Sequence, residues 1–143
     1  MWRWVAAGCC LAVLLAGCGD PDQKLRDAAA QSAREAASEV EMTRLVVEQL
    51  QTHRLWQQTA RQMVADAEKS LETAASSFSA QQPSTAESRR LYEQVGAVLD
   101  DAQKAVTATR IALGEQDLAA AVRELAVLRK SGEELDRIGE LAK

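Results

Sequence analysis

Few residues of this 143-residue chain are of the types that do chemistry: three cysteines and one histidine. Cys9 and Cys10 are adjacent within an apolar N-terminal run, and Cys18 lies at the end of that run. His53 has no second histidine with which to form a His-Glu-x-x-His zinc motif, and no carboxylate stands three residues away from it. We therefore predict no metal site and no cofactor. The simplest interpretation of His53 is a partly buried packing residue on an apolar helical face, with a pH-sensitive kink as the alternative.

Nucleophilic and acid–base chemistry is not indicated by the sequence either. No serine lies in a Gly-x-Ser-x-Gly elbow, and His53 is the only histidine that could activate one. The neighbouring carboxylates Asp100 and Asp101 point about 100° apart on a helix, as do Glu133 and Glu134, so neither pair forms a facing dyad. The chain also lacks a phosphate-binding loop and a dinucleotide fingerprint. The sequence therefore predicts that this protein is not an enzyme.

The N-terminal segment has the organisation of a secretory signal peptide. Arg3 is the only charged residue before Asp20. Residues 4–19 form an uncharged run of about 16 residues, which is shorter than the roughly 20 that a helix needs to span a bilayer. A basic start, a short apolar run and small residues behind it are typical of a signal peptide. The alternative is an uncleaved N-terminal anchor helix, for which the run is short.

The end of this run resembles the lipobox of bacterial lipoproteins, which consists of a leucine, two small residues and an obligatory cysteine. The matching residues are Leu15, Ala16, Gly17 and Cys18, and the resemblance covers residues 1–18 only. It implies cleavage between Gly17 and Cys18, a diacylglycerol on the Cys18 sulfur and, in many bacteria, a further acyl chain on the freed amine. Because one acyl chain gives only marginal membrane binding, two or three on one residue imply a durable anchor.

Cleavage at this position defines the charge and the location expected of the mature protein. It removes Cys9 and Cys10 and leaves no cysteine for a disulfide, because lipidation uses Cys18. The mature chain then has 16 basic and 21 acidic residues, an acidic excess that anionic headgroups would repel weakly, and the pI near 5.1 of the full chain does not suit nucleic acid. We expect a lipid anchor in the cell envelope, on the periplasmic side of an outer membrane or the outer face of the cell membrane. In lipoproteins of two-membrane bacteria, an Asp directly after the cysteine often signals retention in the inner membrane. Here Gly19 follows Cys18, and the resemblance therefore favours the outer membrane where there is one.

The residues after the leader predict an all-α fold. No Gly or Pro occurs between Pro21 and Pro83, and apolar residues recur at steps of three and four, which is typical of one helical face. Asp20 is the predicted N-cap of the first helix, and Pro21 suits its first position. The sequence therefore predicts a helical bundle in which the first helix begins immediately after the leader.

Two shorter helices are predicted after Pro83. Residues 84–87, Ser-Thr-Ala-Glu, have the pattern of a capping box that begins the first of them, and Gly114 fits the left-handed position past its end. Asp117 is the predicted N-cap of the last helix. The apolar stripe of that helix keeps its phase across Gly132, which predicts a kink or continuity there rather than a loop.

Residues 51–54 decide between two architectures. These four polar residues include no Gly, Pro, Asn or Asp, which makes them poor turn formers. We therefore expect one unbroken helix over residues 21–79, about 88 Å long, in an antiparallel three-helix bundle that carries residues 22–50 as a membrane-proximal stalk. The alternative is a turn near residues 51–54 that closes a four-helix bundle, and the near-equal lengths of the four pieces favour it. The apolar residues of a stalk would lack an intramolecular partner, which predicts self-association or a protein partner: Val40, Val46, Val47 and Leu50.

Trp56 is the only tryptophan after the leader, and Leu55 precedes it. The simpler interpretation of Trp56 is a core residue where helices cross. The alternative is that Trp56 and Leu55 form an exposed contact for a partner, because tryptophan is enriched at interaction hot spots. Phe78 and Tyr92 are predicted to pack around the second connection.

These observations together predict a signal peptide over residues 1–17, a lipidated N-terminus over residues 18–21 and a single helical domain over residues 22–143. The expected function is that of a non-catalytic adaptor, assembly aid or spacer in an envelope complex. The alternative is a carrier or sensor that binds a small apolar ligand inside the bundle. Alanine-rich stripes argue against that alternative because small residues bring helices close together, whereas a cavity of several hundred Å³ would favour it.

Overall fold

A computed structural model describes residues 20–141 of the chain, and this part consists of four α-helices. Their bounds are α1 (Pro21–Gln51), α2 (Gln57–Ser79), α3 (Ala86–Gly114) and α4 (Leu118–Gly139). Helix α1 packs against the other three helices, whereas no Cα atom of α2 lies within 8 Å of a Cα atom of α4 in the described part of the chain. With short connections between successive helices, this pattern defines an antiparallel four-helix bundle with α1 and α3 across its shorter diagonal. The predicted all-α helical bundle is confirmed.

The prediction of three helices with an unbroken first helix is wrong, and the four-helix alternative is observed. The chain turns directly after α1 because His53 adopts a left-handed conformation, with φ of 56°. The N–H of Arg54 donates to the Gln49 carbonyl at 2.8 Å, and the N–H of His53 donates to the Leu50 carbonyl at 3.1 Å. These two bonds form a Schellman motif, the usual way to end a helix at a left-handed glycine. A histidine performs that task here, and for this reason the composition of residues 51–54 did not indicate a turn.

The residues that a stalk would have left without a partner are buried inside the bundle. Val40, Val46, Val47 and Leu50 are all at most 7% exposed, and they contribute to one continuous core with residues of the other helices. Burial of each such side chain contributes about 1.5–3 kcal/mol, so the four together outweigh the penalty of roughly 1–2 kcal/mol for one left-handed residue. Tertiary packing of α1 therefore outweighs the poor turn chemistry, and the argument for self-association of a stalk loses its basis.

The predicted helix ends are partly confirmed. Asp20 caps α1 by accepting a bond from the Asp22 N–H at 3.1 Å, and Asp117 caps α4 by accepting one from the Ala120 N–H at 2.8 Å. Helix α4 runs through Gly132 without a break, which confirms continuity at that position.

The other two predictions about helix ends need correction. The capping box before α3 lies one residue later than predicted, because Thr85 and Ser88 exchange the two bonds. Gly114 belongs to α3, and Gln116, with φ of 61°, takes the left-handed position instead.

Alanine dominates the core on α1. Small side chains at the helix interface allow the axes to approach closely, and the largest fully buried side chains come mainly from the other helices, with Phe78, Leu71 and Leu99 among them.

No helix within residues 20–141 has the length and apolar character needed to cross a membrane.

Candidate partner-binding site at the distal end of the bundle

The two ends of the bundle differ in what they carry. The proximal end holds the start of α1, the connection formed by residues 80–85 and the end of α4. The distal end holds the two other connections, formed by residues 52–56 and 115–117. Because α1 and α3 run in the same direction, the distal turns lie beside each other. The side-chain amide of Gln57 joins them by donating to the Leu113 carbonyl at 3.1 Å.

Trp56 is the most exposed large apolar side chain within residues 20–141. It is 84% exposed, so the prediction that it anchors the core where helices cross is wrong. Trp56 occupies the N-cap position of α2 in an extended conformation, and Leu55 before it is partly buried against the core. Because successive side chains of extended backbone point in opposite directions, the burial of Leu55 directs the indole of Trp56 outward.

His53 is also exposed, so its interpretation as a packing residue on the apolar stripe is wrong. The His53 side chain lies off the apolar stripe because the helix ends at Gln51 and the backbone of His53 adopts a positive φ.

The second distal turn repeats the geometry of the first. The N–H of Asp117 donates to the Ala112 carbonyl at 2.9 Å, and the N–H of Gln116 donates to the Leu113 carbonyl at 3.3 Å. This is again a Schellman motif with a residue other than glycine at the left-handed position. Within residues 20–141, His53 and Gln116 are the only non-glycine residues with positive φ. Both strained positions therefore lie at the distal end, and such positions concentrate at functional sites.

Exposed apolar side chains concentrate in the distal half of the bundle. Six large apolar side chains are exposed in the described part of the chain, and Leu141 alone of these lies at the proximal end. The other five lie in the distal halves of α1, α3 and α4 or at the tip, and apart from Trp56 they are 41–46% exposed: Met42, Leu45, Trp56, Ile111 and Val127. We call these five the distal apolar residues. They are spread around the bundle, so a partner that contacted all of them would enclose its distal end.

Charged residues border the distal apolar residues on α1. Met42 and Leu45 are three residues apart and so lie on one face, beside Arg44, which forms ion pairs with Glu41 and Glu48. The hydrogen bond from Arg44 holds the pKa of Glu41 below its ordinary value, although partial burial acts in the opposite direction. Apolar side chains within a charged rim are the usual composition of a protein-binding surface.

The proximal end is held together by a cluster that we call the proximal clamp: Asp22, Arg26, Ser84, Thr85 and Glu87. The hydroxyls of Ser84 and Thr85 donate to the two carboxylate oxygens of Asp22, each at 3.0 Å. Arg26 forms an ion pair with Glu87 at 3.0 Å. Desolvation raises the pKa of Asp22, but the hydrogen bonds from Thr85, Ser84 and Ser88 and the charge of Arg26 outweigh it, so the pKa is lowered overall. The clamp therefore ties the start of α1 to the start of α3.

Two further contacts complete the proximal end. The rings of Phe78 and Tyr92 stack with centroids 5.3 Å apart, and the Tyr92 hydroxyl donates to the Ser79 carbonyl at 2.9 Å. The predicted packing of both rings around the second connection is thus confirmed. Arg34 donates to the Gly139 carbonyl at 2.9 Å and so attaches the end of α4 to α1.

The clefts of the described part are grooves between neighbouring helices that open to solvent. One of about 640 Å³ lies between α1 and α4 and is lined mainly by polar and charged residues, among them Arg34, Glu41 and Arg129. Another, of about 340 Å³, lies beside the proximal clamp. These grooves are not the interior apolar chamber that a carrier of small apolar ligands requires. Within residues 20–141, no group of three or more His, Cys, Asp or Glu side chains could hold a metal ion.

The chain matches no protein-family model, and comparison with curated proteins and with solved structures found no match. The predicted lipobox residues Leu15, Ala16, Gly17 and Cys18 lie outside the described residues. The sequence suggested Trp56 and Leu55 as one alternative for a partner contact, but it did not indicate the proximal clamp. The clamp joins residues about sixty positions apart, and no local pattern marks such a contact.

Proposed function

We propose that this protein is a bacterial lipoprotein, anchored to an envelope membrane through Cys18, that acts as a non-catalytic helical adaptor. In this proposal the distal end of the bundle binds a protein partner, with Trp56 as the central contact. The anchor rests on the resemblance of Leu15, Ala16, Gly17 and Cys18 to a lipobox. The observation that carries the adaptor role is the concentration of exposed apolar side chains in the distal half, with Trp56 84% exposed at the tip.

The energetics favour a partner at this position. A tryptophan side chain buries 150–250 Å² when it is fully covered, and an exposed indole leaves most of that area in contact with water. Tryptophans in binding hot spots lose about 2 kcal/mol or more of binding free energy on truncation to alanine, which corresponds to roughly 30-fold in Kd. The Schellman turn before Trp56 and helix α2 after it hold the backbone on either side of Trp56 in one conformation, so little ordering remains to oppose binding.

Metabolic labelling with a radioactive fatty acid tests the anchor. The protein should incorporate label, and the Cys18→Ala variant should not, because it lacks the thiol that carries diacylglycerol. Incorporation that persists in Cys18→Ala would refute the assignment of the anchor.

Cross-linking in intact cells, followed by purification from the membrane, tests the adaptor role. A partner should be recovered with the native protein and lost with Trp56→Ala. Leu141→Ala is the matched control, since it truncates an exposed apolar residue at the opposite end. Equal recovery from both variants would exclude the distal end as the binding site. If the recovered partner is a second copy of the chain, sedimentation of the detergent-solubilised protein should show a dimer that Trp56→Ala dissociates.

A further inference from the structure

The spacing between Cys18 and α1 limits how far the bundle can move from an anchor at that residue. Only Gly19 and Asp20 separate Cys18 from Pro21, the first residue of the helix. Three peptide units span at most about 11 Å, even when fully extended. The Asp20 side chain caps the helix at 3.1 Å from the Asp22 N–H, so the helical conformation is secured up to its first turn. An anchor at Cys18 would therefore hold the start of α1 at the membrane surface.

The proximal clamp extends this constraint from α1 to the rest of the bundle. Asp22 lies in the first turn of α1 and binds the hydroxyls of Ser84 and Thr85, which precede α3. Arg26, one turn later, is paired with Glu87. The α2–α3 connection is therefore fixed to the start of α1, so an anchor that holds the start of α1 at the membrane surface also holds this connection there.

The α2–α3 connection at the proximal end has a chemistry that suits contact with lipid headgroups, and the charged residues of the proximal clamp beside it are paired, Asp22 with hydroxyls of this connection and Arg26 with Glu87. Residues 73–86, which include the whole α2–α3 connection, contain no ionisable side chain, and their polar groups are hydroxyls and amides. Gln82 in this connection is exposed, and Leu141 is an exposed apolar residue at the same end. The distal turns, in contrast, carry Arg54, Glu115 and Asp117. An uncharged segment can enter a headgroup layer without the desolvation penalty that a charged segment incurs.

We propose that the proximal end of the bundle rests on the bilayer surface and that the helices stand upright on it. Trp56 then lies above the bilayer by about the length of α1. This inference rests on the lipid anchor of the proposed function. Helix α1 has 31 residues and is therefore about 46 Å long. The partner site then lies about 46 Å from the headgroups, and the bilayer is the second binding partner of the fold, at the end opposite to the protein partner.

Trp56 provides the reporter for a direct test, because it is the only tryptophan after residue 18. The lipidated protein is purified from membranes and reconstituted in phosphatidylcholine vesicles in which a fraction of the lipids carries a nitroxide on the headgroup. A nitroxide quenches indole fluorescence only at short range. We expect no quenching of Trp56 in the native protein and strong quenching in the double variant Trp56→Phe, Gln82→Trp, whose reporter lies in the proximal connection.

A second variant tests whether the short tether imposes the orientation. Insertion of ten Gly and Ser residues between Gly19 and Asp20 adds a flexible tether with a reach of about 17 Å. The indole at position 82 should then lose most of its quenching, because the proximal end is no longer held at the headgroups. This variant leaves residues 20–141 unchanged and therefore does not depend on tolerance of a substitution in the bundle.

The outcomes separate the orientation from the anchor. If the protein still floats with vesicles but the indoles at positions 56 and 82 are quenched equally, the upright orientation is overturned while the anchor stands. Stronger quenching at position 56 would mean that the distal end contacts the bilayer, and would likewise overturn it. Failure of the protein to float with vesicles, with an unmodified Cys18 thiol, would overturn the proposed anchor and this inference with it.

Discussion

Replacement of His53 by glycine should stabilise the fold. His53 has φ of 56°, and a side chain in this conformation costs roughly 1–2 kcal/mol through contact of its Cβ with the backbone. Glycine removes this strain, but it loses about 0.5–1 kcal/mol more conformational entropy on folding than alanine does. The expected gain for His53→Gly is therefore about 1 kcal/mol in the free energy of unfolding. The Schellman bonds at Arg54 and His53 use backbone groups alone and are retained in the variant.

Urea denaturation followed by far-ultraviolet circular dichroism measures this gain. With a slope of about 2 kcal/mol per molar urea, a gain of about 1 kcal/mol moves the midpoint up by about 0.5 M. His53→Ala is the matched control, since it removes the imidazole but keeps the Cβ, and its midpoint should stay close to that of the native protein. If both variants shift the midpoint equally, the imidazole and not the backbone is responsible, and the account of the turn is refuted.

Three further predictions concern the ends of the bundle. Thr85→Ala removes the side-chain cap of α3 and a hydroxyl of the proximal clamp, and should lower the free energy of unfolding by about 1 kcal/mol in the same urea assay; an unchanged midpoint would contradict the capping geometry. Because the pKa of Asp22 is lowered in the folded state, the Asp22 carboxylate should stabilise the fold relative to Asp22→Asn, and fully so above the unfolded pKa near 3.8. This stabilisation should fade as the pH falls through the lower pKa of the folded state. A difference between the two urea midpoints that stays constant from pH 7 to the acid limit would refute this role. Trp56→Ala should change the free energy of unfolding by less than about 0.5 kcal/mol, whereas Phe78→Ala, in the buried core, should lower it by about 3–5 kcal/mol. Comparable losses for the two variants on thermal unfolding would contradict the exposure of Trp56.

The features that the sequence predicted correctly are those set by neighbouring residues. Asp20 and Asp117 act as caps because a carboxylate reaches an N–H two or three residues away in any chain context. Continuity through Gly132 followed from the phase of the apolar stripe, since a glycine costs a helix only about 1 kcal/mol.

The number of helices could not be predicted, because it depends on contacts between distant parts of the chain. A left-handed His53 has no compositional signature, and the turn forms because it allows α1 to bury its valines and alanines against the other helices. The exposure of Trp56 follows from the same turn. Had the helix continued, position 56 would have stayed on the apolar stripe and the core interpretation would have held.

The distribution of contacts along the chain has a consequence for biogenesis. Helix α1 makes its most extensive interface with α4, which is the last of the four helices, and Arg34 and Gly139 join the two across 105 positions. A polypeptide that emerges N-terminus first exposes the alanine-rich seam of α1 until α4 has been delivered. The native state therefore requires α4, so the fold itself discriminates molecules that include this helix from those terminated before it, which would present an open seam to proteases and chaperones.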